Sequence, residues 1–179
     1  MALREIRKDG DPVLRKIARR EEAFGERLHT LLVDMAETMY DADGVGLAAP
    51  QIGVRRRVAV VDIGDGNLIE LINPEVLESS GQACGQEGCL SIPGRSGFVR
   101  RPEYIKVKMQ DREGNEVLFE AEGYLAVAMC HEMDHLDGIL FTDKTVEPTK
   151  EELEALGLGT DDEEEIDELA QDEPTEMSS

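Results

Sequence analysis

The 179-residue chain has no tryptophan, only three cysteines and only three histidines. The missing tryptophan carries no functional message. Cys84, Cys89 and Cys130 are too few and too odd in number for a disulfide framework. In a reducing compartment such cysteines are core, metal-binding or catalytic. Also missing is any apolar run near the roughly 18–20 residues that cross a bilayer. The start, "MALREIRKDG", is charged and lacks the apolar stretch of a signal peptide. The expectation is a soluble, cytoplasmic protein with no membrane partner.

Positive charge is scarce as well. There are 19 Lys and Arg against 40 Asp and Glu, a net charge of −21. The excess is uneven: residues 147–179 hold 14 acidic residues and one lysine, or −13, which leaves −8 for residues 1–146. That balance argues against direct contact with nucleic acid, because phosphate contacts need positive charge. It leaves open docking on a protein patch of a nucleoprotein assembly.

A hydrophobic share of 40% is enough for a real core, and the length suits one domain with a tail. "DPVLRKIARR" predicts a short helix, with Asp11 as N-cap and Pro12 at the first helical position. In "GERLHTLLVDMAETMY", Leu28, Leu31, Leu32, Met35 and Met39 share one stripe, which predicts an amphipathic helix. "DADGVGLAAPQIG" then breaks the pattern with glycine and small residues. "RVAVVDI" and "LIELIN" read as strands around a turn at Gly64–Asn67, and "YIKVKMQ" and "EVLFEA" as strands around a turn at Gly114–Asn115. Helical spacing returns in "GYLAVAMCHEMDHL". Thr149 and Glu152 form a capping box for one more short helix.

The expected class is α+β: antiparallel or mixed sheets around a central helix, N-terminal helices and a short C-terminal helix. The expected division is a catalytic body over 1–147, a short helix within 148–158, and an acidic, disordered tail over 159–179.

Chemistry concentrates in "CHEMDHLDG", residues 130–138. His131 and His135 are four apart, so on a helix both can point a ring nitrogen at one ion. Glu132 lies about 100° round from His131. It can approach a water beside the ion without ligating the ion itself. A metal-assisted hydrolase needs these parts. The third ligand decides which hydrolase. The metzincin pattern, HExxHxxGxxH, matches as far as Gly138 and then meets Phe141 where a histidine is required. The gluzincin pattern needs a downstream glutamate, and Glu151, Glu152 and Glu154 lie in the acidic segment. Cys130 adjoins His131 and points elsewhere on the helix. Cys84 and Cys89, both flanked by glycine in "CGQEGCLSIPG", remain open as third ligand.

Three motifs, "GVGLAAPQ" (44–51), "EGCLS" (87–91) and "HEMDH" (131–135), resemble those of the peptide deformylases in order and separation. The likeness extends through "DPVLRKIA", "LINPEVLE" and "LDGILF" and covers residues 1–147. It implies that Cys89, His131 and His135 hold one Fe²⁺, which Zn²⁺, Ni²⁺ or Co²⁺ can replace. It implies a bacterial-type enzyme that removes the formyl group from the N-terminal formylmethionine of newly made polypeptides and releases formate. Glu132 is then the general base. Gln51 and the Leu90 backbone N–H support the developing oxyanion, and Glu87 orients a ligand histidine. Gly44, Val45 and Gly46 line an extended substrate, and Val45, Tyr124, Val127 and Ala128 form the methionine pocket. The partners implied are nascent formylmethionyl polypeptides and the ribosome, with the ribosome not met through the acidic tail. Against this stand two alternatives: an HExxH metallopeptidase of another class, or a non-catalytic binding descendant.

Overall fold

The structure is a computed structural model and describes residues 2–159. The chain divides into two compact units, Met1–Val146 and Glu147–Ser179. The expected disordered tail lies outside the described residues apart from Gly159.

The first unit opens with a 3₁₀ turn at Pro12–Arg15, whose N-cap Asp11 accepts from the Val13 N–H. The cap and the proline act as their types predict, but the predicted helix stops after one turn. Only Leu14 and Ala18 of this stretch are buried, too few for an apolar stripe. Beyond Lys16 the backbone is extended, and Arg19 bridges Arg56.

Helix α1 (Glu26–Asp41) buries the predicted stripe of Leu28, Leu31, Leu32, Met35 and Met39. Seven strands follow: β1 (Gly46–Ala48), β2 (Val58–Val61), β3 (Ile69–Ser80), β4 (Ala83–Cys89), β5 (Ile92–Arg101), β6 (Tyr104–Gln110) and β7 (Glu116–Glu122). Helix α2 (Gly123–Leu136) closes the sequence of large elements. The strands form a five-stranded sheet ordered β1-β2-β3-β6-β7 and a separate β4-β5 hairpin. Every pairing between these strands is antiparallel, so the mixed alternative is discarded.

Strand β2 shows why "VAVV" is apolar at every position. Ala59 and Val61 pack with α2 residues Ala126, Met129, Met133 and Leu136. Val58 and Val60 pack with the α1 stripe. Alternate side chains leave opposite faces of a strand, and here a helix covers each face. A third cluster joins Leu14, Ile92, Val99, Leu140 and Phe141, with Cys89 packed against it.

Strand β3 runs well past the predicted "LIELIN". Pro74 reads as a stop because it cannot donate to a ladder. A register shift between Ile72 and Glu75 absorbs it, and the strand continues along β6. That second half is exposed and carries Glu75–Lys108 and Glu78–Lys106 pairs at 3.3 and 3.7 Å. In the second unit, α3 (Lys150–Ala155) has the Thr149–Glu152 capping box and buries none of its residues.

Candidate metal centre

Three elements converge at one cavity. Helix α2 turns Ala126, Met129, Met133 and Leu136 into the core, which commits His131, Glu132 and His135 to other faces. The β4-β5 hairpin brings Cys89. Its ladder is regular from Ala83 to Gly88, then slips so that Cys89 faces Ile92. An irregularity of this kind re-aims a side chain, and here it aims a sulfur. Strand β1 contributes the third wall and, among the described residues, is paired on one edge only, to β2.

Cys89, His131 and His135 each offer a ligand atom within 4.8 Å of one another. The Cys89 Sγ lies 3.4 Å from His135 Nε2. Sulfur and nitrogen held tetrahedrally by one zinc-sized ion stand about 3.6 Å apart, so the spacing fits. One sulfur and two imidazoles suit a transition ion and not Ca²⁺ or Mg²⁺. Burial opposes a charge on His131, yet hydrogen bonds to Cys89 and Glu87 outweigh it and raise its pKa to about 10. His135 moves the other way: burial, then the neighbouring His131 charge, keep it neutral. Of the sulfur candidates left open, Cys84 belongs to no such cluster among the described residues and lies opposite Arg100 across the hairpin. Cys130 packs against the α2 core, and burial pushes its thiol up to about 11.

Behind His131 sits a buried ionic chain. His131 Nδ1 donates to Glu87 Oε1 at 2.8 Å. Arg101 grips both Glu87 oxygens at 2.9 Å and reaches Asp134 with Nη1 at 2.6 Å. Lys144 closes the chain on Asp134 at 3.0 Å. Burial alone would raise the Glu87 pKa, but Arg101 and His131 bring it down to about 2. The ionised Glu87 accepts from the His131 Nδ1–H and so fixes the orientation of the ring.

Glu132 is 4% exposed, and its Oε2 has no hydrogen-bond partner among the described residues. Burial pushes its carboxyl up to about 7. Gln51 is buried beside it in a second 3₁₀ turn, Ala49–Ile52. The Ala48 N–H donates to Gln51 Oε1 at 2.9 Å, which identifies the oxygen end of the amide. Its Nε2 donates to Ser91 Oγ at 3.1 Å and stands 3.5 Å from Cys89 Sγ.

The cavity in front of these groups is ≈ 420 Å³. Its lining includes Gly44, Val45, Gly46, Gln51, Glu87, Cys89, Leu90, Tyr124, Val127, Ala128, His131 and Glu132. Every site residue singled out in the sequence therefore lies at this one cavity, His135 through its contact with Cys89. Val45 and Tyr124 are exposed there although apolar. Leu90 follows the bend, and its carbonyl accepts from Lys8 Nζ at 3.1 Å. Phe141, where a metzincin needs its third histidine, stacks on His131 with ring centroids 6.2 Å apart.

Sequence reasoning missed Arg101, Asp134 and Ser91. Asp134 stood within reach, three residues after His131 and so one turn along the same helix. Arg101 had no local signal, since it lies on a hairpin not foreseen as strand. Ser91 is wholly buried under Gln51, inside a quoted motif, without a pattern to mark it.

Comparison with known proteins agrees with this geometry. A polypeptide deformylase family model matches residues 3–151. A peptide deformylase of Acetivibrio thermocellus is 58% identical over 146 residues, which cover 82% of this chain and 85% of that protein. Peptide deformylase 1 of Clostridium acetobutylicum is 56% identical over 147 residues, 82% of this chain and 97% of its own. The crystal structure of the Thermotoga maritima peptide deformylase superposes with a TM-score of 0.80 at 44% identity, covering 82% of this chain and all of that one. The chain belongs to the polypeptide deformylase family, metal-dependent hydrolases that remove the N-formyl group from the N-terminal methionine of newly made polypeptides, and that is its activity.

Proposed function

We propose that Cys89, His131 and His135 hold the metal ion, Fe²⁺ in the cell, with Zn²⁺, Ni²⁺ or Co²⁺ able to replace it. The observation that carries this reading is the gathering of one sulfur and two imidazoles within 4.8 Å beside a buried, partnerless Glu132 oxygen. An ion held there supplies Lewis acidity, which polarises the formyl carbonyl and lowers the pKa of water toward neutrality.

The chain's own groups do the rest. Glu132 takes the proton of the attacking water at its free Oε2 and returns it to the leaving nitrogen. A carboxyl with a pKa near 7 can both accept and give a proton at neutral pH. Gln51 Nε2, oriented by the Ala48 N–H, donates to the oxygen on which charge develops, together with the Leu90 N–H. Glu87 orients His131. Val45, Tyr124, Val127 and Ala128 take the methionine side chain; exposed apolar groups lining a cavity suit an unbranched apolar guest. The free edge of β1, at Gly44, Val45 and Gly46, receives the peptide as an added strand. Pairing through main chain tolerates many sequences after the methionine.

The body, residues 1–147, carries all of this; the helix within 148–158 and the acidic residues 159–179 carry none of it. The protein works in the cytoplasm and meets its substrates at the ribosome, and the acidic segment is not what docks there.

The test is metal analysis and formate release from a formylmethionyl peptide after anaerobic purification. Cys89→Ala is expected to lose its metal, while Cys84→Ala and Cys130→Ala keep theirs. Stoichiometric metal and full turnover in Cys89→Ala would overturn the ligand assignment.

A further inference from the structure

The hairpin that carries Cys89 reverses through two residues. Cys89 pairs with Ile92, so Leu90 and Ser91 form the tip and lie outside the ladder. Main-chain polar groups at such a tip need partners from elsewhere, the more so at Ser91, which is wholly buried. The start of the chain supplies them. The Leu90 carbonyl accepts from Lys8 Nζ at 3.1 Å, and the Ser91 carbonyl accepts from the Asp9 N–H at 2.8 Å. One residue earlier, the Arg7 N–H donates to the Gln51 carbonyl at 2.6 Å. Three consecutive residues therefore hold both the 3₁₀ turn that presents Gln51 and the hairpin tip that presents Leu90. In sequence those two segments are 40 residues apart, Gln51 to Ser91.

The holding segment is itself anchored at each end. Arg4 Nε donates to the buried Asp34 of α1 at 2.9 Å, and the Arg4 N–H donates to Thr38 Oγ1 at 2.9 Å. Beyond Lys8, the Asp11 N–H donates to the Lys8 carbonyl at 3.0 Å. Leu90 is gripped from two sides. Its side chain packs with the α1 cluster, where a Cβ on Gly44 would meet its Cδ1 at 2.7 Å. Its carbonyl is taken by Lys8. A residue fixed at both has little freedom left to turn its own N–H. The Lys8 ammonium also brings a positive charge to the residue whose N–H faces developing negative charge.

We propose that Lys8 is a positioning residue for deformylation: through the Leu90 carbonyl it sets the Leu90 N–H against the Gln51 amide. The inference rests on the reading above of these two groups as donors to the oxyanion. Donors aimed in advance cost no reorganisation when the charge appears, and that is the source of their value. A tip free to rock would blunt them. The charge appears only in the transition state, and the peptide is received along β1, away from Lys8. The contribution of Lys8 therefore belongs in kcat and not in KM.

The experiment measures formate release from a short formylmethionyl peptide with the full, zinc-loaded chain. Lys8→Met keeps the length of an exposed side chain and removes its donor and charge. It is expected to lower kcat about 5-fold and to leave KM within about twofold. Lys8→Arg restores the donor and is expected to return kcat to within about twofold of the parent. Arg4→Met removes a cation from the same segment without touching the tip, and its kcat should stay within about twofold of the parent. Amide hydrogen exchange reads the contact directly: the Asp9 N–H should exchange about 5-fold faster in Lys8→Met and at the parent rate in Lys8→Arg. Gln51→Leu is measured beside them and is expected to lose about 10²–10³ in kcat. Unchanged kcat in Gln51→Leu would sink the donor reading and this inference with it. A loss in Gln51→Leu with parent kcat in Lys8→Met overturns the inference alone. So does a loss in Lys8→Met that lies in KM, that Lys8→Arg does not repair, or that Arg4→Met equals.

Discussion

Gly46 is glycine because of Glu132. A Cβ built there would overlap the Glu132 carboxylate, whose Cγ would lie 2.8 Å away. Its lack of a side chain leaves room for the Glu132 carboxylate, the proposed base. Gly46→Ala is expected to keep its metal yet lose turnover by up to the roughly 10²–10⁴ that a general base contributes. Metal content and kcat on the same preparation check it; unchanged kcat would mean Glu132 relaxes without consequence. Arg101 is the second residue whose worth lies in what it touches. It is 3% exposed and holds Glu87 and Asp134 together behind His131. Removing one partner from a buried ionic set costs about 3–5 kcal/mol, because the other charges stay buried. Urea unfolding of metal-free Arg101→Ala should show a loss of that size, and a loss under about 1 kcal/mol would mean that water replaces the guanidinium.

At the scale of elements, the end of α2 is as constrained as its face. Gly138 follows the C-cap Asp137 with φ of +72°, the left-handed position that ends many helices. A Cβ there would also meet the Arg15 carbonyl carbon at 2.7 Å. Gly138→Ala is expected to cost more than the about 1–2 kcal/mol of the left-handed backbone alone. A lowered thermal midpoint, with weaker metal retention because α2 carries two of the proposed ligands, would be the signature. A midpoint equal to the parent's would show that the turn beside Arg15 yields freely. The hairpin makes a different point. Strands β4 and β5 went unforeseen because four glycines and one proline interrupt any alternation in "CGQEGCLSIPGRSG". Their pairing, and the slip at Gly88–Cys89, come from contact with each other.

For the whole molecule, the proposed site residues all lie within residues 44–135, and residues 160–179 hold ten acidic and no basic residues. A chain ended at Gly159 is expected to retain its metal and its turnover of a short formylmethionyl peptide. It should also associate more readily, since a block of like charge is gone. Sedimentation and formate release test the two parts. Lost catalysis would mean that the acidic segment supplies a wall of the site.

Some of this was legible before any coordinates. The α1 stripe, the α2 periodicity and the alternation in β6 declare themselves locally, because burial on one face repeats with the period of the element. His131, Glu132 and His135 could be placed for the same reason: one helix fixes their relative directions. Spacing could not place the sulfur, which only the resemblance assigned to Cys89. Cys84 and Cys89 look alike in sequence, and a bulge in a hairpin decides which one turns to the histidines. Nor could the Arg101–Glu87–Asp134 chain be read in advance, because it joins residues 14 and 33 apart. Local propensity acts over a few residues, so a contact between distant ones exists only once the sheet and its helices have brought them together.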